Sequence, residues 1–342
     1  MNIFEGRESK RLRFKDRSEL IDFFDKANVS SMSSTCILCG NAVSSLCDSH
    51  SVPKMVLKEI ADSGSKVLLA NSVFGISGFD VFKCTKRAGI FNIICCDCDG
   101  KVFQDYENPN NLKNTPTDKM MAEIALKNTL HQLRNRQIEI EFRNQLPAEN
   151  KQLPIKRAKD EIKVFNDDID LYKKLIKNDE HNRFTIVYYK RLPYKVPIAV
   201  ETEVALPQDI NGDPINIFSG ANKTKRIQYI HLCVFPLGGE SIVMLFYHNR
   251  DKMYSAFNNQ FNELSEDKAL SYLNWLIFKY TENYFFSKKV EEIITKNVNL
   301  QMLSQELNGF PSFGIGDPEA YKGFRRINPY EIPNLLDVKY SV

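Results

Sequence analysis

Long apolar runs are missing from this 342-residue chain. A spanning helix needs roughly 18 or more consecutive apolar residues, and no stretch approaches that, so a bilayer-crossing protein is not expected. The first residues, MNIFEGRESKRLRFKDR, hold no apolar run ending in small residues of the kind that marks a secretory leader, which points to the cytoplasm. A strong charge of either sign is also missing: 46 Lys and Arg stand against 43 Asp and Glu, for a formal +3. Bulk charge therefore does not single out a polyanionic partner, and any such contact has to come from local clusters. Internal repeats are absent. So is a phosphate-cradling loop: Gly220-Ala221-Asn222-Lys223-Thr224 lacks the second glycine of a P-loop, and Gly314-x-Gly316 follows no strand.

Cysteine is nearly absent outside one window. Seven of the eight lie between Cys36 and Cys98, and only Cys233 sits elsewhere. Such a concentration has a local cause. In a reducing compartment, two Cys-x-x-Cys pairs are metal ligands rather than a disulfide framework.

What is present is an ordinary globular composition, 43% hydrophobic, in a chain long enough for two domains. Residues 1–32 form a basic segment with a short amphipathic piece at Glu19 to Phe24. Residues 33–112 carry the cysteines and a helix from Pro53 to Ala61, with proline in its first turn and Gly64 beyond its end. Residues 113–180 form a helical connector. One helix runs from Thr117, its cap, to about Phe142, and a second from Ala158 to Ile176, with the Pro147 to Pro154 loop between them. Residues 181–342 change to strand-like patterning at 184–189, 196–205, 226–235 and 241–247, with turns at Asn211-Gly212-Asp213-Pro214 and Gly238-Gly239. Helices are expected near 267–287 and 289–296. The fold class is α+β: an N-terminal zinc module, a helical linker, and a C-terminal α+β domain with a largely antiparallel sheet.

Structural Zn²⁺ takes four soft ligands in a tetrahedron, and a two-residue spacer lets one tight turn aim both sulfurs at the same ion. That spacing occurs in Cys36-Ile37-Leu38-Cys39, where Gly40 can take the positive φ of a knuckle, and in Cys95-Cys96-Asp97-Cys98, just before a helix start. The expected ligands are Cys36, Cys39, Cys95 and Cys98. Cys96, or Cys47 together with His50, could replace a member of the set. Cys84 reads as core.

The run Cys36-x-x-Cys39-Gly40, Ser49-His50-Ser51-Val52-Pro53-Lys54 and Cys95-x-x-Cys98-Asp99 resembles the zinc-stabilised, treble-clef branch of the HNH endonucleases, over about residues 33–110. The resemblance implies a metal-dependent endonuclease acting on nucleic acid, with DNA as the leading target. It implies His50 as general base, Asp99 in the later metal-ligand position and Asn92 as the middle asparagine, around a catalytic Mg²⁺ or Mn²⁺. Two positions depart from the family pattern: Ser49 stands where an acidic partner is usual, and Asp99 replaces a histidine or asparagine. Asp48 is a nearby carboxylate. A separate reading makes His50 a helix cap or a zinc ligand.

An HNH-like module joined to an unfamiliar domain is similar in plan to bacterial restriction or anti-phage effectors. The competing function is a non-catalytic zinc module for nucleic-acid or protein recognition. In the endonuclease reading the helical and α+β remainder supplies target recognition, dimerisation or regulation, with a homodimer or a partner protein meeting the C-terminal domain. Two basic clusters, Lys10 to Arg17 and Lys223 to Arg226, together with Lys86 and Arg87, are either phosphate contacts or solvated faces. Asp105 and Glu107 read as charged helix surface. His131, His181, His231 and His248 read as packed or exposed rather than ligating. Trp275, Tyr280, Tyr284, Phe285 and Phe286 read as core.

Overall fold

The computed structural model describes residues 17–69, 81–145, 155–218, 224, 226–300, 302–303 and 327–342. The expected loop at 147–154, Lys10 to Lys15 of the first basic cluster, Lys223 and Lys225 of the second, and the Gly314-x-Gly316 turn lie outside them.

In chain order, α1 is Arg17–Ser30, followed by the short strand β1, Ser49–His50. Then come α2 (Lys54–Ile60), β2 (Lys66–Leu69), β3 (Val81–Cys84) and β4 (Ile90–Phe91). The helices α3 (Cys96–Val102), α4 (Pro109–Leu112), α5 (Asp118–Gln145) and α6 (Ile155–Asn178) follow. The remaining elements are β5 (Phe184–Leu192), β6 (Ile198–Val204), β7 (Ile230–Leu237), β8 (Glu240–His248), α7 (Tyr254–Asn262), α8 (Glu266–Tyr280), β9 (Tyr284–Phe286) and α9 (Glu291–Lys296).

The long helix starts where its chemistry says. Thr117 accepts the backbone N–H of Met120 through its hydroxyl at 3.2 Å, which satisfies one of the orphan donors of the first turn. Met120, Met121, Ile124, Ala125, Leu130 and Leu133 are all buried, and α5 packs against α6 and α1. Gly238 and Gly239 take φ of 60° and 87°, the two positive values a tight turn between β7 and β8 requires.

Seven strands form one sheet in the order β3-β2-β9-β6-β7-β8-β5, and every neighbouring pair is antiparallel. Both faces are covered. Along β6, Ile198, Val200 and Val204 join one apolar cluster with α7 and α8, while Ala199 faces the other cluster with α5, α6 and the cysteine-bearing segment. The period of two therefore sends the alternating residues Glu201 and Glu203 toward the α5 layer, where both are buried. His231 on β7 is buried with them.

Four expectations change. The expected helix across 267–287 ends at Tyr280, where Thr281 turns extended with φ −135° and ψ 154°. Tyr284–Phe286 is instead a buried strand paired with both β2 and β6, so sheet partners on both sides override the local helical pattern. The segment 289–296 splits into a 3₁₀ turn at Lys288–Val290 and α9. The cysteine-bearing segment contributes β2 and β3 to the seven-stranded sheet, where the sequence suggested no strand. Cys84 is exposed rather than core, because β3 is an edge of that sheet.

Candidate metal centre and adjoining site

The first Cys-x-x-Cys turn closes on itself. The Gly40 N–H donates to the Cys36 carbonyl at 2.8 Å and Cys36 N–H to Asn41 at 3.0 Å, with Gly40 at φ 75°. Two further bonds hold this turn and its continuation against the second half of the site: Ile37 N–H to the Ile93 carbonyl at 3.1 Å, and Cys47 N–H to the Ile94 carbonyl at 2.8 Å. Cys95 stands immediately before the first residue of α3, so Cys98 follows one turn later on the same side.

The four sulfurs of Cys36, Cys39, Cys95 and Cys98 all lie within 4.8 Å of one another, and Cys39 and Cys95 are 4.0 Å apart. A tetrahedron with zinc–sulfur bonds of about 2.3 Å needs sulfurs roughly 3.8 Å apart, so the thiols are arranged as a cage for an ion such as Zn²⁺. Their protonation fits that demand. Burial works against the Cys36 thiolate, but the backbone N–H groups of Cys39, Cys95 and Leu38 outweigh it and bring the group down to about 6. Burial first, and then the neighbouring thiols, push Cys98 well up. One thiolate is favoured and a second is resisted, so a dication is what allows the set to ionise together. Cys96 is exposed, and Cys47 lies beside Asp99, 3.9 Å from its Oδ2. Neither belongs to the four-sulfur group, and nor does His50.

Beside the cage, β1 and β4 pair antiparallel, with Ser49 opposite Phe91 and His50 opposite Ile90, and α3 follows. His50 Nε2 lies 2.9 Å from the Thr85 carbonyl. A carbonyl only accepts, so Nε2 carries the proton and Nδ1 is the lone-pair nitrogen of the neutral ring. Burial lowers the pKa of His50, against the pull of Thr85, and Lys54 and Lys127 lower it further. Lys86 and Arg87 follow Thr85 directly and are exposed.

Asn92 donates to the Cys47 carbonyl at 2.9 Å and to Asp48 Oδ1 at 2.8 Å, which pins the strand end that bears His50. Asp99 is engaged from two sides. Its Oδ1 accepts the Ser49 hydroxyl at 2.5 Å and lies 3.6 Å from Lys127 Nζ. Lys127 also pairs closely with Glu107 Oε1, and its ammonium sits 4.2 Å from the centre of the Phe103 ring. Asp99, Phe103 and Glu107, spaced by four in sequence, thus converge on one lysine. Glu107 is therefore an ion-pair partner rather than plain helix surface, and it lies in the turn after α3. Asp105 pairs with Lys119 at 2.7 Å.

Behind Lys127, the Tyr106 hydroxyl lies 3.2 Å from Glu201 Oε1 and 3.4 Å from Glu107 Oε1. Burial first, and then the Glu107 charge, hold the Glu201 carboxyl well above the carboxylate range. Lys127, though buried, stays charged because Glu107 and Asp99 outweigh desolvation. Asn283 ties the same region to the module, donating to the Glu201 carbonyl at 2.6 Å and accepting the Ser51 hydroxyl at 2.7 Å.

Lys127, Tyr106, Glu201 and Thr85 are absent from the sequence reading. Lys127 carried a signal, as a charge inside the apolar stripe of α5, and Glu201 another, as one of two acids, with Glu203, in a strand whose other residues are Thr202 and four apolar ones. Of the second basic cluster, Arg226 is held by Asp251 and by Asp168 at 3.3 Å, so it is not a free phosphate contact. The aromatics Tyr284, Phe285 and Phe286 are core. His131 packs 5.6 Å from the Phe91 ring. No helix among the described residues is long and apolar enough to cross a membrane. No protein-family model, curated protein or solved structure matches the chain.

Proposed function

We propose that the chain is a metal-dependent endonuclease with an HNH-like site, in which the four-cysteine cage holds structural zinc and His50 is the general base. The observation that carries this reading is the order of strand, strand and helix at the cage. His50 lies on the first strand, Asn92 just past the second and Asp99 on the helix, all tied to one another or to the module by hydrogen bonds. Thr85 commits Nε2 of His50 and leaves Nδ1 to take a proton from water as its oxygen attacks phosphorus and the sugar oxygen leaves. Asp99, a hard oxygen donor, would hold a Mg²⁺ or Mn²⁺ that supplies Lewis acidity at the scissile phosphate. Lys86 and Arg87, exposed beside Thr85, are placed for backbone phosphates, and DNA is the favoured substrate.

One observation favours the second reading, a zinc module for recognition without catalysis. The Asp99 carboxylate already accepts from Ser49 and faces Lys127, so its capacity for a metal is partly used. The two readings separate in one experiment: nicking of supercoiled plasmid in Mg²⁺ or Mn²⁺ by the zinc-loaded protein and by His50→Ala. Cleavage by the parent alone, with zinc retained in both, supports the nuclease. Equal zinc and no cleavage of DNA or RNA by either protein rejects it in favour of the recognition module.

A further inference from the structure

Lys127 comes from α5, outside the segment that resembles a nuclease, yet its ammonium lies 3.6 Å from Asp99 Oδ1. Its side chain is only 1% exposed, whereas those of Asp99 and Glu107 are 22% and 33% exposed. The two carboxylates therefore open toward solvent while the lysine plugs them from behind. A third carboxyl joins them. Glu201 is fully buried, shares the Tyr106 hydroxyl with Glu107, and its Oε2 has no hydrogen-bond partner among the described residues. Two carboxylates and a protonated carboxyl with one oxygen unpartnered, gathered around one buried ammonium, give the lining of a cation site.

We propose that Asp99, Glu107 and Glu201 form a cation site whose resident cation is the Lys127 ammonium, so that this lysine sets how tightly a divalent ion is held at the HNH-like centre. The inference deepens the endonuclease reading and rests on it for its biological meaning. Physically, a divalent ion on the outer side of Asp99 and the ammonium on the inner side share one carboxylate and repel each other. With water-like screening and a separation of about 5 Å, that repulsion weakens ion binding by roughly tenfold or more. The lysine also holds Asp99 and Glu107 in place when no ion is bound, a positioning role rather than a catalytic one.

The test reads ion binding rather than cleavage. Mn²⁺ is titrated into the zinc-loaded full chain and followed by electron paramagnetic resonance, for the parent, Lys127→Met and Lys127→Met with Asp99→Asn. The expected result is at least tenfold tighter Mn²⁺ binding in Lys127→Met, lost again in the double variant. Lys127→Gln, whose amide can still donate to Glu107, is the second variant if methionine among these polar groups impairs folding. Unchanged Mn²⁺ affinity in the folded variants overturns the proposal, as does a gain that survives Asp99→Asn. Tighter Mn²⁺ without nicking by the parent would leave this inference standing and remove the endonuclease reading. Nicking by the parent without a gain in Mn²⁺ affinity would do the reverse.

Discussion

Glu203 offers the sharpest quantitative test of how this molecule is held together. Its side chain points from β6 into the α5 layer, where Oε2 accepts the Thr129 hydroxyl at 3.1 Å and Oε1 has no partner among the described residues. Burial, reinforced by Asp168, pushes the carboxyl from 4.5 up to about 8. The folded state thus binds a proton that the unfolded chain gives up. The stability this allows is complete below pH 4.5 and is lost as pH rises through about 8. At about 1.4 kcal/mol per unit, the penalty for burying this group is small at pH 5 and levels off at several kcal/mol by about pH 8. Glu203→Gln removes the titration but keeps an acceptor for Thr129. It brings a fixed cost of about 1–3 kcal/mol for an amide N–H without a partner. The informative quantity is therefore the change in its effect with pH. Between pH 5 and pH 8.5 the variant should gain roughly 3–4 kcal/mol relative to the parent, read from urea unfolding followed by circular dichroism. Parallel stability curves, differing by less than about 1 kcal/mol across that range, would refute the burial argument.

Arg134 donates to the Asn28 carbonyl and side chain, each at 2.7 Å, and to the Ser31 carbonyl at 2.9 Å, so it closes the C-terminal end of α1. Arg134→Met should cost about 2–4 kcal/mol, and hydrogen exchange should show the loss concentrated in α1. Gly89 sits at φ 65°, and a Cβ there would meet Ser51 Oγ at 2.5 Å and Phe285 at 2.7 Å. Gly89→Ala should therefore lower stability by more than 2 kcal/mol, roughly, a shift that thermal melting would register. Stripping the metal, or Cys95→Ser, should release about one zinc per chain and expose the backbone amides of residues 36–50 and 90–98 to exchange; retained protection would argue against a structural ion. On the acid side, burial lowers His131, His231 and His248 to about 4, 3 and 4. Their contribution is present above pH 6.5 and lost as pH falls through those values, and NMR titration of the imidazoles should find all three neutral at pH 5.

The cage was legible because spacing alone carries it: two residues between cysteines dictate a tight turn, and soft ligands dictate the kind of ion. The long helices and β5 to β8 were legible from periodicity. Lys127 and Glu201 stood out locally as charges in buried patterns, but their meeting with Asp99 and Glu107 did not follow from local pattern. One lies on the connector and the other on the sheet, and only tertiary packing brings them to α3. The strand at Tyr284–Phe286 was missed for a related reason. Three aromatics after a helix look like its continuation until β2 and β6 are found on either side. Conversely, Tyr254, Phe257 and Phe261 in α7 had helical spacing and could have been read.

The position of β9 imposes an order on assembly during synthesis. Apart from its hairpin partner β3, β2 has a single neighbour, β9, and that neighbour ends at Phe286. All four cage cysteines, by contrast, have been made once residue 98 is reached. A nascent chain can therefore capture its ion long before the sheet can close around β2, with almost two hundred residues still to emerge between the two events. For that interval β2 and β3, paired with each other, present an edge without its β9 partner, which a second nascent chain could occupy.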